Sequence, residues 1–220
     1  MNVYLISGLG ADKRIFKKLK FPENTVINHI DWIPPQSRES LANYAHRLSE
    51  TINTRKPFAL IGVSFGGMIA IEIAKILSPV ITIIISSSLK SSQLPLSYQL
   101  AGKLNLLSLI PTFLLKSSNK LIQNYYFGVK TVEEKKLLNQ IVSDTDSHFL
   151  KWAIGAILSW KNEIKPEKLL HIHGTKDKIL YTKKYVPDFL IRDGTHFMVY
   201  QNADEISALI GKILAETIKS

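Results

Sequence analysis

Apolar positions along the chain alternate between two rhythms. Short runs rich in β-branched residues occupy 3–7, 25–31, 58–64, 80–87, 168–173 and 188–192, several of them nearly continuous in apolar side chains. That pattern fits parallel strands covered on both faces. Between them, Leu41, Tyr44, Ala45, Leu48 and Ile52 form one helical stripe, and Ile206, Leu209, Ile210, Ile213 and Leu214 form another. Strand and helix in turn predict an α/β domain on a mostly parallel sheet of about six strands.

The alternation stops between residues 89 and 165. No strand pattern occurs there, and four helices are predicted instead, over 94–104, 111–127, 132–142 and 147–160. Pro111 opens the second and Gly128 closes it, while Thr131 with Glu134 supplies a capping box for the third. The organisation expected is therefore an α/β core from 1–88 and 166–220, interrupted by an all-helical insertion over 89–165. There is no internal repeat and no low-complexity tract.

Composition narrows the chemistry. Among 220 residues there is no cysteine, which excludes disulfides, thiolate metal sites, iron–sulfur clusters and a cysteine nucleophile. The residue set suggests neither a metal nor a cofactor. The net charge of +10 comes mostly from lysines scattered along the chain. Without a helix-turn-helix, zinc-finger or aromatic ribonucleoprotein motif, that charge reads as a solvated surface rather than a nucleic-acid site. Residues 1–6 lack the basic segment of a signal peptide, and the longest apolar stretches fall short of the ~20 residues that span a bilayer. A cytoplasmic protein with no membrane span is expected.

One segment carries a nucleophile signature. Gly62-Val63-Ser64-Phe65-Gly66 is G-x-S-x-G between a predicted strand and a helical run, and the glycines permit the sharp turn that exposes Ser64. A serine needs a base, and the base needs an orienting acid. Of the six histidines, His29, His46, His148, His171, His173 and His196, His196 lies in the loop after the predicted strand 188–192. Loops at the carboxyl ends of parallel strands line the ligand crevice. Asp177 ends the turn after strand 168–173 and is the expected acid. Asp193 is the alternative, although Asp before Gly commonly serves a turn. Two backbone N–H groups are expected to form an oxyanion hole, that of Phe65 after the nucleophile and that of Leu9 in the loop Ser7-Gly8-Leu9-Gly10. This loop is not a dinucleotide fingerprint, because Lys13 stands where the third glycine belongs.

Taken together, the Gly8-Leu9 loop, the Ser64 elbow, His173-Gly174-x-x-Asp177 and Gly194-Thr195-His196-Phe197 resemble the α/β-hydrolase superfamily over nearly the whole chain. The order Ser64, Asp177, His196 is that family's order. The resemblance implies a catalytic triad, no cofactor, and a helical lid in the 89–165 insertion. It also implies a sheet truncated at its N-terminal edge, since the family's two leading strands have no counterpart. Ser7 departs from the His that many relatives carry before the glycine. The implied activity is hydrolysis of a carboxylic ester or thioester through an acyl-enzyme on Ser64. The alternatives are a ligand-binding protein without turnover, or a C–C hydrolase or lyase of the same fold. Serine at position 64 argues against the dehalogenase and epoxide hydrolase branches, which use Asp there.

The substrate is less legible. Leu104, Leu106, Leu107, Leu109, Ile110, Phe113, Leu114 and Leu115 either pack the insertion's own core or roof a pocket for a small to medium, partly apolar acyl group. Trp32 is read either as a substrate-binding wall or as a structural tryptophan. Lys13, Arg14, Lys17, Lys18, Lys116 and Lys120 either form a solvated basic surface or steer an acidic acyl-carrier protein.

Overall fold

The computed structural model describes residues 1–104, 119–180 and 186–219, with main chain alone at 218–219. In chain order the elements are β1 (Asn2–Ile6), β2 (Val26–Ile30), α1 (Leu41–Ser49), β3 (Phe58–Val63), α2 (Phe65–Ile76) and β4 (Ile81–Ile85). They continue through α3 (Leu96–Lys103), α4 (Lys120–Phe127), α5 (Val132–Asp144), α6 (Ser147–Ser159), β5 (Leu169–Gly174), β6 (Phe189–Ile191), α7 (Met198–Gln201) and α8 (Ala203–Lys219). The strands form a six-stranded sheet in the order β2-β1-β3-β4-β5-β6, and every pairing is parallel.

Alternation along the strands divides the core in two. Tyr4, Ile6, Phe58 and Leu60 face one side of the sheet, where α1 and α2 bury Tyr44, Leu48, Met68 and Ile69. Val3, Leu5, Ala59 and Ile61 face the other, where α8 buries Ile206, Ile210 and Leu214. Because the central strands are covered on both faces, most of their positions on both faces are apolar, which produces the nearly continuous runs seen in the sequence. Predicted and observed strands differ mainly at their ends. The last shrinks from 188–192 to Phe189–Ile191, as an edge strand paired on one side only.

Among the described residues, 89–165 contains helices and no strand. Thr131 and Glu134 form the capping box at the start of α5, and Gly128 ends α4 in the left-handed region at φ 72°. Of the helix predicted over 111–127, only α4 is described. Pro111, Lys116 and the apolar residues Leu106, Leu107, Leu109, Ile110, Phe113, Leu114 and Leu115 lie outside the described residues. The helices of this segment do not pack only on one another. α6 adds Phe149 and Ala153 to the cluster of α1 and α2, while α5 adds Leu138 and Ile141 to the cluster of α8. Polar ties reinforce this, as Trp152 Nε1 donates to Glu39 O at 2.9 Å and Trp160 Nε1 to buried Glu72 Oε1 at 2.8 Å. No helix among the described residues is long and apolar enough to cross a membrane.

Candidate active site

Ser64 joins β3 to α2 at φ 53° and ψ −118°, a region that costs a non-glycine residue on the order of 1–3 kcal/mol. The surrounding contacts hold it there. Ser64 N–H donates to Ile85 O at 2.9 Å, Gly67 N–H to Ser64 O at 2.9 Å, and Ser87 Oγ to the same carbonyl at 2.7 Å. A Cβ on Gly66 would lie 2.1 Å from Ser7 O, and one on Gly62 would lie 2.3 Å from Gly66 O. The two glycines of G-x-S-x-G are therefore required because main chain touches main chain at both positions.

His196 sits between β6 and α7, buried at 5% exposure. Its Nε2 is 3.0 Å from Ser64 Oγ, and its Nδ1 is 2.8 Å from Asp177 Oδ2. The loop is fixed on both sides, since Thr195 Oγ1 donates to Phe127 O at 2.9 Å and Lys176 N–H to Gly194 O at 2.9 Å. Asp177 closes the turn after β5, and its Oδ1 accepts from Ile179 N–H at 2.8 Å and Leu180 N–H at 2.9 Å. Burial alone would raise the Asp177 pKa. The opposing charge and hydrogen bond of His196, aided by His173 and the Leu180 N–H, outweigh it and hold the carboxyl at about 2. Asp193, the other candidate, adopts φ 58° on the surface and pairs with Lys176 at 2.7 Å.

The loop from Ser7 to Ala11 lies against Ser64, with Gly8 so placed that its Cβ would meet Ser64 Cβ at 3.5 Å. Three side chains brace this loop. Ser7 Oγ and Trp32 Nε1 both donate to Ala11 O, at 2.7 and 2.8 Å, and Thr145 Oγ1 donates to Gly10 O at 2.9 Å. Ser7 thus ties the loop internally in the place where histidine was expected from the resemblance. Phe65 opens α2, so its N–H belongs to the helix's unpaired first turn.

Above Ser64 is a cavity of about 390 Å³, within the usual range for small-molecule sites. Its walls come from both core faces, Met68, Ile157 and Leu180 on one side and Ile15, Leu138 and Ile141 on the other. Among the described residues no charged side chain lines it, and its polar side chains are Ser64, Tyr98 and His196. Burial, then the charge of Asp177, raises the Tyr98 pKa and keeps that hydroxyl protonated. Leu9 lines the cavity. Trp32 is not among the residues lining it. Its ring is taken up by the core, with Phe149 and Phe65 at 5.4 and 5.5 Å between centroids, while its N–H serves the Ala11 carbonyl. Among the described residues no group of three or more His, Asp or Glu side chains is placed to hold a metal ion.

No family model matches the sequence, and no curated protein matches it. Solved structures do. A candidate aryl esterase from Burkholderia cenocepacia aligns with TM-score 0.76 at 13% identity, covering 100% of this chain and 91% of its own. MenH from S. aureus aligns with TM-score 0.73 at 19% identity, covering 99% and 94%. YbtT, the type II thioesterase of the yersiniabactin pathway, aligns with TM-score 0.63 at 15% identity, covering 98% and 93%. The chain has the α/β-hydrolase fold.

Within the hydrolase fold, the cavity lies where the loops leaving β1, β3 and β5 converge, at the carboxyl ends of the strands. Two of the basic residues near this end are already paired. Arg14 binds Asp12 and Asp144 at 2.7 and 2.8 Å, and Lys18 approaches Glu133 at 3.4 Å. Lys13, Lys17 and Lys120 are exposed. Sequence reasoning assigned no role to Thr145, Tyr98 or the buried pair His171 and His173. The last pair had a visible signal, two imidazoles at alternate positions of a run otherwise fit for a buried strand.

Proposed function

We propose that the protein is a serine hydrolase that cleaves a carboxylic ester or thioester through an acyl-enzyme on Ser64. The observation that carries this reading is the unbroken hydrogen-bonded chain from Ser64 Oγ through His196 to buried Asp177, at the floor of an apolar cavity. In this reading Ser64 O–H gives its proton to His196 Nε2 as Oγ attacks the substrate carbonyl, and Asp177 stabilises the imidazolium. The N–H groups of Leu9 and Phe65 receive the oxyanion. His196 then protonates the leaving group, and water, activated by the same base, releases the acid and restores Ser64. Residues 89–165 act as a lid, contributing Tyr98, Leu138, Ile141 and Ile157 to the cavity wall.

A cavity whose described walls carry no charged side chain favours an uncharged, largely hydrocarbon acyl group, because an ion there would lose its hydration without compensation. The structural likeness to an esterase and to a thioesterase accords with either leaving group. The pairing of Arg14 and Lys18 reduces the free positive charge available to steer an acyl-carrier protein, so a small-molecule ester or thioester is the preferred substrate. The test is kinetic. Hydrolysis of a panel of nitrophenyl esters and acyl thioesters should fall by roughly 10³-fold or more in Ser64→Ala, while Ser86→Ala retains activity. Binding of these substrates without turnover by the wild type would instead select the ligand-binding alternative.

A further inference from the structure

The strand that delivers Asp177 also carries two buried histidines. His171 and His173 occupy alternate positions of β5, so both face the same side of the sheet, at 1% and 0% exposure. His171 Nε2 lies 3.0 Å from His173 Nδ1. Among the described residues the other nitrogen of His173, Nε2, has no side-chain partner at ordinary hydrogen-bond geometry; it stands 3.4 Å from Asp177 Oδ2, and the Leu180 main chain also acts on the ring. That oxygen is the one bonded to His196 Nδ1 at 2.8 Å. Apolar side chains ordinarily fill such positions in a central strand, and imidazoles there lose hydration unless their nitrogens find partners.

Resting on the reading given under Proposed function, we propose that His173 is a positioning residue for the reaction. Its Nε2–H is directed at Asp177 Oδ2, and its Nδ1 accepts from His171 Nε2–H, so that Asp177 is held in place for His196 from behind.

The proton count supports this arrangement. Burial pushes the His171 pKa down to about 3 and that of His173 downward as well, so each ring is neutral near pH 7 and carries one proton. If His173 carried its proton on Nδ1, its Nε2 lone pair would face the carboxylate and repel it. With the proton on Nε2, the positive end of the N–H meets Asp177, and Nδ1 is free to accept from His171. The other groups acting on this chain are accounted for. Asp177 and the Leu180 main chain favour a charged His173, and His196 opposes it. His173 and Lys165 oppose a charged His171, while Asp177 and a hydrogen bond to the Ser87 main chain, which competes for the His171 proton, favour it. Tyr98, from α3, feels the Asp177 charge and stays protonated.

Two measurements test the proposal. In wild-type protein with ¹⁵N-labelled histidine, long-range ¹H–¹⁵N correlation spectra read the tautomer, with the His173 signals assigned by their loss in His173→Gln. The expected result is a protonated Nε2 and a bare Nδ1 at pH 7, and a proton on Nδ1 overturns the proposal. In kinetics normalised to fluorophosphonate-titrated sites, His173→Leu should lower kcat about 10-fold with KM little changed, the loss expected when one polar contact to a charged group is removed. It should also move the acid limb of kcat/KM upward by about half a unit, because Asp177 keeps more charge for His196. His173→Gln, which returns an N–H toward Asp177, should restore most of kcat and the position of the limb. A His173→Leu enzyme with an unmoved or lowered limb overturns the proposal, and if that variant does not fold the tautomer decides alone. Activity surviving in Ser64→Ala would refute the hydrolase reading while leaving the tautomer result about His173 standing.

Discussion

Asp177 Oδ2 lies 2.8 Å from His196 Nδ1, whereas Asp193, in the turn just before the same histidine, holds Lys176 at 2.7 Å on the surface. The two carboxylates therefore have opposite expected phenotypes. Asp177→Asn should lower kcat by about 10⁴-fold with the fold retained, since the amide cannot hold the productive tautomer or stabilise the imidazolium. Asp193→Asn should leave kcat within about 2-fold, because an exposed ion pair contributes little to either stability or chemistry. Steady-state kinetics with circular dichroism on both variants checks this, and the reverse ranking would move the acid. Ser64, Asp177 and His196 could be singled out in the sequence because each occupies a turn at a strand's carboxyl end, where local motif and chain order coincide. Trp32 could not be assigned that way. Whether an indole faces a cavity or a core depends on Phe149 and Phe65, which are distant in sequence.

The elbow shows how an element depends on contacts that its own sequence does not display. The pattern G-x-S-x-G announces a tight turn, but the reason for Gly66 lies in β1, where a Cβ would meet the Ser7 and Ile6 carbonyls at 2.1 and 2.3 Å. Gly66→Ala should therefore destabilise the protein by about 3 kcal/mol, at the upper end of the overpacking range, because neither backbone can yield cheaply. Equilibrium urea unfolding measures this, and a change under about 0.5 kcal/mol would contradict the packing account. Strands and helices were largely legible from periodicity, since β3 and β4 are buried on both faces and α5 carries its own capping box. Their ends were less so, because the limits of β6 depend on how far its neighbour β5 extends. The join of α5 to one core cluster and α6 to the other was not legible. A helical stripe shows that a face is buried, not which partner buries it.

At the scale of the whole molecule, the buried histidines couple folding to pH. His171, held at about 3, and His173, also lowered, are neutral in the folded chain but take up protons near the ordinary value of 6.5 once unfolded. The unfolded state then binds more protons between about pH 3 and 6.5, so stability must fall as pH is lowered through that window. For His171 the slope is roughly 1 kcal/mol per pH unit, and His173 adds to it in the same direction. Asp177 acts in a lower window. Its depressed pKa of about 2, against an ordinary 3.8, gives stability that is present above 3.8 and lost as pH falls toward 2. Unfolding free energies from pH 7 to pH 5 should decline in wild type and decline less steeply, by about one proton, in His171→Gln. Parallel slopes would show that His171 is not held neutral by the fold. The net charge of +10 adds repulsion in acid, but it acts almost equally on both proteins and cancels in the comparison.

The central claim is that Ser64 is an activated nucleophile, and covalent labelling addresses it most directly. Incubation of the wild type with a fluorophosphonate near pH 7.5, followed by intact-mass and peptide mapping, should show one adduct per chain, located on Ser64. Labelling should be absent in Ser64→Ala and slowed by about 10³-fold or more in His196→Ala, where the base is missing. A wild-type protein that remains unmodified, or labels equally well without Ser64, would contradict the account.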